Sequence, residues 1–294
     1  TLNNDKSGTY TYTDRPNILF SGSAEVVDGK FEITFMLPKD IKYNYGTGRI
    51  NFYASDDTQG EAQGAFENFL IGGSITDFEY ETDGPQIEMY LNNPEFKTGA
   101  KVNETPLLVA NVSDINGINQ VGSGIGHDIM LVVDDEPGQT YILNDFYKSD
   151  LNDFTKGTIR FKLPVMKSGK HTASIRVWDL LNNSSAHTIE FEVVKGLEPE
   201  IFNIYNYPNP VKSYTKFVVE HDRPETVLNA TVDIYDLSGR LVWTFKQSTL
   251  DEISWDMNDM YGQRLKTGIY LYRISVQSNS DRVFSKINKL MIVE

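Results

Sequence analysis

Val232-Asp233-Ile234-Tyr235-Asp236-Leu237-Ser238-Gly239-Arg240, followed directly by Leu241-Val242-Trp243-Thr244-Phe245, reads as strand, turn, strand. Leu241, Trp243 and Phe245 fall on one face of the second run, which is the period-two pattern of a half-buried antiparallel strand. Asp236 through Arg240 supply the small and Asx residues of a tight turn.

Working outward, the same period recurs. In Lys30–Leu37 the residues Phe31, Ile33, Phe35 and Leu37 alternate with Glu32, Thr34 and Met36; in His171–Val177, Ala173, Ile175 and Val177 alternate with Thr172, Ser174 and Arg176. Turn signals punctuate the chain at Asp28-Gly29, Asp83-Gly84-Pro85, Asn116-Gly117, Pro137-Gly138, Ser168-Gly169, Asn182-Asn183 and Ser238-Gly239. Asp28-Gly29 lies between two alternating runs and is the strongest short hairpin signal. No amphipathic helix is convincing; Gly60–Leu70 holds a turn or two at most. The expectation is an all-β chain of tandem β-sandwich domains.

Two boundaries divide it. Asp83-Gly84-Pro85 follows a polar stretch (76–82), and Lys195-Gly196-Leu197-Glu198-Pro199 follows an apolar run. The expected domains are 1–82, 83–195 and 196–294. The central one divides into strands at 86–91, 105–112, 128–133, 140–143, 157–163, 170–178 and 187–194, the count and spacing of an immunoglobulin-like sandwich without its disulfide. Residues 1–82 yield only four or five strands and read as a smaller sandwich or as a domain truncated at its N-terminus. The tail reads as a sandwich of about seven strands.

Composition narrows the function. The 294 residues carry a formal charge of −14, unevenly placed: from Gly196 onward 11 Lys and Arg face 13 Asp and Glu, whereas residues 1–195 hold 16 against 28. Such a surface repels phosphate backbones, so nucleic acid is not an expected partner. Cysteine is absent, which removes disulfides, thiolate zinc sites and cysteine nucleophiles together. No apolar run approaches the roughly 20 residues of a membrane helix, so no transmembrane segment of its own is expected. Thr1 opens the chain with neither Met nor a signal-like apolar stretch; the expectation is a piece cut from a longer protein.

Chemistry-bearing clusters are few. His127, His171, His187 and His221 show no ligand spacing with an acidic partner, although His171 and His187 are candidates for neighbours on adjacent strands. Gly122-Ser123-Gly124-Ile125-Gly126 has the glycines of a phosphate cradle but no following Lys-Ser or Lys-Thr and no helix. It reads as a loop at one end of a sandwich. Acidic groups cluster at Asp56-Asp57, Asp134-Asp135-Glu136 and Asp150/Asp153. Asp114-Ile115-Asn116-Gly117 and Asp179-Leu180-Leu181-Asn182-Asn183 have the form of turns that hold calcium in bacterial sandwiches, though no terminal bidentate Glu completes a calcium loop. No cofactor is expected; structural calcium is the one metal reading left open. Trp178, Trp243 and Trp255 offer a sugar-stacking platform, but Trp243 is in phase with Leu241 and Phe245 and reads as core, while Trp178 reads as the cap of a domain junction. Sequons at Asn103, Asn111, Asn182, Asn183 and Asn229 read as chance in a chain rich in Asn and Thr.

The tail carries an ordered motif: Tyr207-Pro208-Asn209-Pro210, then Asp236, Gly239 and Arg240 in a hairpin, then Gly268 and Tyr270, then a basic final strand with Lys286 and Lys289. The two prolines fix an extended lead-in and deny ladder hydrogen bonds, so pairing is expected after them. This order resembles the C-terminal sorting domain of Bacteroidetes type IX secretion. Further stretches widen the likeness: Ser123-Gly124-Ile125-Gly126-His127-Asp128, Leu143-Asn144-Asp145-Phe146-Tyr147, Val177 to Ser185, Phe35-Met36-Leu37-Pro38-Lys39-Asp40 and Ile50-Asn51-Phe52-Tyr53-Ala54. They are similar to the region after the catalytic domain in the type IX sortases, gingipain-like peptidases of the C25 cysteine peptidase family.

That resemblance implies a cell-surface protein attached to the outer membrane of a Gram-negative bacterium through a PorV-like barrel protein. Exported cargo would be handled by an upstream catalytic domain, and the tail would be kept rather than cleaved. With no cysteine, no catalytic residue carries over, and this segment is expected not to be an enzyme. Its expected role is the non-catalytic scaffold and docking region of such a sortase. The alternative is the C-terminal part of a surface adhesin or carbohydrate-binding cargo with a cleavable sorting tail. The expected docking residues are Tyr207, Pro208, Asn209, Pro210, Asp236, Gly239, Arg240, Gly268, Tyr270, Lys286 and Lys289.

Overall fold

The computed structural model describes residues 2–4, 8–10, 18–39, 45–56, 60–73, 81–122, 126–249, 252–277 and 282–293. Asp40, Asp57, most of the polar stretch 76–82 and the loop positions Ser123, Gly124 and Ile125 lie outside them. The described chain is all-β, relieved only by single 3₁₀ turns at Pro137–Gln139 and Asn144–Phe146.

Among its described residues the first region holds β1 (Leu2–Asn4), β2 (Gly8–Tyr10), β3 (Gly46–Thr47), β4 (Ile50–Ser55), β5 (Glu61–Phe66) and β6 (Leu70–Ile71), paired two by two. Two expectations fail here. Residues 60–70 contribute strands β5 and β6 rather than a helical turn. The alternating run 30–37 forms no ladder among the described residues, and Phe31, Ile33 and Leu37 stay exposed. Alternation creates an apolar face; it does not supply the neighbouring strand that must bury it. The Asp28-Gly29 turn does form, with both residues at positive φ and reciprocal Val27–Lys30 backbone bonds of 2.9 and 3.0 Å.

Next come β7 (Gln86–Leu91), β8 (Lys101–Val102), β9 (Leu107–Ser113), β10 (Met130–Val133), β11 (Thr140–Ile142), β12 (Tyr147–Asp150), β13 (Asp153–Lys162), β14 (Gly169–Trp178) and β15 (Ser184–Val193). They form two facing sheets, β11-β10-β14-β15-β8 and β12-β13-β9-β7, antiparallel except where β15 meets β8. Nine strands therefore replace the expected seven. The additions, β8 and β12, are edge strands of two and four residues, too short for periodicity to reveal. Leu108, Ala110, Leu131, Ile159, Ala173, Ile175 and Val177 meet between the sheets with no solvent exposure. Each large side chain contributes ~1.5–3 kcal/mol by leaving water.

The tail holds β16 (Ile201–Tyr207), β17 (Thr215–His221), β18 (Leu228–Tyr235), β19 (Leu241–Thr249), β20 (Glu252–Trp255), β21 (Gly268–Gln277), β22 (Arg282–Phe284) and β23 (Asn288–Ile292). The small sheet runs β16-β17-β20; the large one runs β19-β18-β21, with β22 and β23 both pairing β21. Phe217, Val232, Ile234, Ile253, Tyr272, Ile274 and Leu290 form the core between them. Eight strands replace about seven, because β16 precedes the prolines: they end a strand that already pairs β17, rather than opening the domain.

Candidate functional site

The first part of the tail motif lies at the proline turn. Both X-Pro bonds there, Tyr207-Pro208 and Asn209-Pro210, are cis. Asn209 then stitches the turn to the last strand: its Oδ1 accepts from the Met291 N–H at 3.0 Å, and its Nδ2 donates to the Lys289 carbonyl at 3.1 Å and to Asn206 Oδ1 at 3.1 Å. Thr215, fully buried, donates through its hydroxyl to the Pro208 carbonyl at 2.9 Å. Val211 continues the seam, its N–H on the Met291 carbonyl at 2.7 Å and its carbonyl accepting from Val293 at 2.9 Å. Asn288 Nδ2 reaches the Ile204 carbonyl at 2.6 Å. The motif thus closes the sandwich by tying the small sheet to the final strand. Tyr207 is left 73% exposed, and Lys289 is exposed as well.

The second part lies in the β18–β19 turn. The Asp236 carboxylate accepts from Ser238 Oγ at 2.5 Å, from the N–H groups of Ser238 and Arg240 at 3.0 Å each, and from Arg240 Nε at 3.0 Å. Those bonds, the Ser238 hydroxyl first, hold its pKa down to about 2. Gly239 sits at φ +84°, a left-handed position that glycine adopts without penalty. Tyr270 donates its hydroxyl to the Lys266 carbonyl at 2.9 Å; burial, and then the charge of Asp236, raise its pKa. Gly268 opens β21, and Lys286 lies exposed between β22 and β23. The structure therefore groups Tyr207–Pro210 with Lys289, and Asp236, Gly239 and Arg240 with one another.

A third feature follows the sequence reading only in part: Trp243 packs against the edge of the tail core but is not enclosed by it. Trp243 is only half-buried and Phe245 is exposed, because β20 is four residues long and leaves the inner face of β19 partly uncovered. Trp243 stacks on Phe245 at 5.5 Å and meets Trp255 at 5.2 Å. With Tyr214, Ser254 and Asp256 these rings line an open cleft of about 370 Å³. Trp178 packs on His127 at 4.3 Å instead of on either ring, so the three tryptophans form no single platform.

The two Asx turns of the central sandwich do converge, and they bring in a residue that sequence reasoning missed. Glu81, Asp114 and Asp179 place carboxylate oxygens within 4.8 Å of one another. Asn116 Nδ2 donates to Glu81 Oε1 at 2.8 Å, and Asn183 donates to Asp179 Oδ2 at 2.8 Å and to the Glu81 carbonyl at 3.2 Å. Burial, reinforced by the neighbouring carboxylates, raises Asp114 to about 6; burial likewise raises Asp179. Three hard oxygen ligands suit a calcium ion. Glu81 is distant in sequence and had no signal of its own.

The histidines do not assemble. In the β14–β15 ladder His171 opposes Phe191 and His187 opposes Ile175, so they are not cross-strand neighbours. His171 Nδ1 meets Asp134 Oδ2 at 2.7 Å, and its Nε2 meets the Lys167 carbonyl at 2.8 Å, leaving neither ring nitrogen for a substrate.

Residues 205–291 match the family described as the secretion system C-terminal sorting domain. Among solved structures, dimeric latent PorU from Porphyromonas gingivalis is 39% identical over 92% of this chain, with a TM-score of 0.44; the chain spans 26% of the length of that protein. The N-terminal Ig1-2 module of the Drosophila receptor protein tyrosine phosphatase DLAR shows 7% identity and a TM-score of 0.27, covering 72% of this chain and all of that one. The FN1-FN3 domains of chicken CNTN1 show 8% and 0.27, covering 84% and 78%. No curated protein matches the chain.

Proposed function

From a chain that resembles the C-terminal region of PorU and ends in a type IX sorting domain, we infer a non-catalytic scaffold and docking region of a cell-surface, sortase-like cysteine peptidase. The association with type IX secretion rests on the 39% identity and on the sorting-domain match. The docking role is carried by one observation: around a closed seam the motif leaves Tyr207, Arg240, Lys286 and Lys289 exposed, outside the core cluster of the domain. A cysteine peptidase cannot place its nucleophile in this segment, since no cysteine is present.

In this reading the central sandwich is a spacer, residues 196–294 dock on a PorV-like outer-membrane barrel, and the upstream domain processes exported cargo. No helix among the described residues is long and apolar enough to cross a membrane. The test is capture of the purified barrel by the full chain and by a chain ending at Lys195; capture by the full chain alone supports docking, and equal capture refutes it.

The aromatic cleft favours a second reading, a carbohydrate-binding surface cargo. Trp243 and Phe245 lie near-parallel, with an interplanar angle of 16°, in an open cleft rimmed by Ser254 and Asp256. Saturable quenching of tryptophan fluorescence by an oligosaccharide, lost in Trp243→Ala, would support it, as would a mature protein ending near residues 195–200. A native protein that keeps residues up to Glu294 and shows no glycan quenching returns the choice to the docking region.

A further inference from the structure

The seven residues between β15 and β16, 194–200, are the only covalent link between the two sandwiches, and their backbone is not free. Arg223, in the β17–β18 loop, is 7% exposed and aims its guanidinium at this segment: Nη2 donates to the Leu197 carbonyl at 2.7 Å and to the Glu198 carbonyl at 3.2 Å. Its Nη1 donates to the Asp222 carbonyl at 3.1 Å and pairs with the Asp222 carboxylate. Asp222 holds the next residue on both sides, with its Oδ1 accepting from the Glu200 N–H at 2.8 Å and its N–H donating to the Glu200 carbonyl at 3.1 Å. Pro199 between them is buried. The neighbours Glu225 and Thr226 bond Arg160 Nε at 2.8 Å and Lys162 Nζ at 3.2 Å on β13, so one loop grips the linker and the central sandwich together.

We propose that Asp222 and Arg223 form a clasp that keeps the 195–200 junction from being cut by endopeptidases. A peptidase reads its substrate as an added strand through the main-chain N–H and C=O groups around the scissile bond. In this linker the carbonyls of Leu197 and Glu198 and both polar groups of Glu200 are already engaged. Cleavage therefore requires local opening of the clasp, and its rate follows the population of the opened form. A guanidinium suits the role because its five donors in a fixed planar fork serve the Leu197, Glu198 and Asp222 carbonyls and the Asp222 carboxylate together. The inference rests on the docking reading, which needs a tail that stays attached, but uses different contacts from those offered for docking, so either can fail alone.

Limited proteolysis of the full chain tests it, with trypsin for the Lys195–Gly196 bond and a glutamyl endopeptidase for the Glu200–Ile201 bond, the products being identified by mass. Arg223→Met is expected to raise the cleavage rate at these bonds at least tenfold and to release the two sandwiches. Glu225→Gln, which removes only the partner of Arg160, is expected to leave the rate unchanged. Equal rates for the native chain and Arg223→Met overturn the clasp; an equal rise in Glu225→Gln assigns the protection to domain packing and overturns it too. Should Arg223→Met not fold, hydrogen exchange on the native chain decides: slow exchange at the Glu200 amide supports the clasp, and exchange at the unprotected rate contradicts it. Protection with no barrel capture would refute docking and leave the clasp standing.

Discussion

The two sandwiches are built from the same kind of strand and differ in how their sheets match. In residues 86–193, sheets of five and four strands face each other and cover the apolar side of nearly every strand. In residues 201–292 a sheet of three faces one of five, so β19 leaves Leu241 and Phe245 exposed and Trp243 only half covered. The difference teaches where to look for recognition. A matched pair of sheets makes a scaffold whose activity is confined to its loops, whereas an unequal pair leaves apolar surface and motif residues outside the core. The charge divides the same way, with most of the acidity before residue 196 and the tail near neutral.

The comparison breaks most readily at the cores. Phe217→Ala in the tail removes a fully buried ring and is expected to cost ~3–5 kcal/mol. Calorimetry should show the tail transition fall while that of the central sandwich stays; a single transition that moves as a whole would mean the two units are not separately stabilised. Asn209→Ala removes the bonds to Met291 and Lys289 and is expected to cost ~1–2 kcal/mol, again in the tail transition alone. Fast hydrogen exchange at the Met291 amide in the variant is the accompanying sign.

Smaller effects should come from the carboxylates, with opposite signs in the two units. Asp114 is raised to about 6, so its folded form favours the proton. The stability it contributes is present at low pH and is lost as pH rises from about 4 through 6. Asp114→Asn should therefore stabilise the central sandwich at pH 7 by ~1 kcal/mol after allowance for solvent screening, and the gain should vanish at pH 4. Calcium, placed among Glu81, Asp114 and Asp179, is expected to raise the same transition at pH 7 in the native chain and to do so less in Asp114→Asn; a melting temperature indifferent to calcium and EDTA removes the metal reading. Asp236 is shifted the other way, to about 2. Its contribution holds above about 4 and is lost as pH falls through 2. Asp236→Asn should lower the tail transition slightly at pH 7 and by much less at pH 2.

Much of this architecture was legible in the sequence because period-two alternation and Asx-Gly turns act locally. The turn at Asp236 to Arg240 and the ladders of β14, β18 and β21 follow from residues a few positions apart. What stayed hidden depends on partners far away in the chain. Residues 30–37 have an excellent strand pattern and no neighbouring strand among the described residues. Trp243 has a core pattern, yet the length of β20 decides its exposure. Tyr207-Pro208-Asn209-Pro210 announced itself by composition, but that Asn209 would bond the last strand required the fold. Glu81 joins Asp114 and Asp179 across a span that no local spacing rule covers.

The central claim is the proposal that residues 196–294 dock on an outer-membrane barrel. The most direct measurement is the affinity of the purified type IX barrel for the full chain, for the chain ending at Lys195, and for a variant carrying Tyr207→Ala and Lys289→Ala. Docking through the tail predicts saturable binding by the full chain, at least a hundredfold loss without the tail and a measurable loss in the variant. Equal affinity for all three would contradict it.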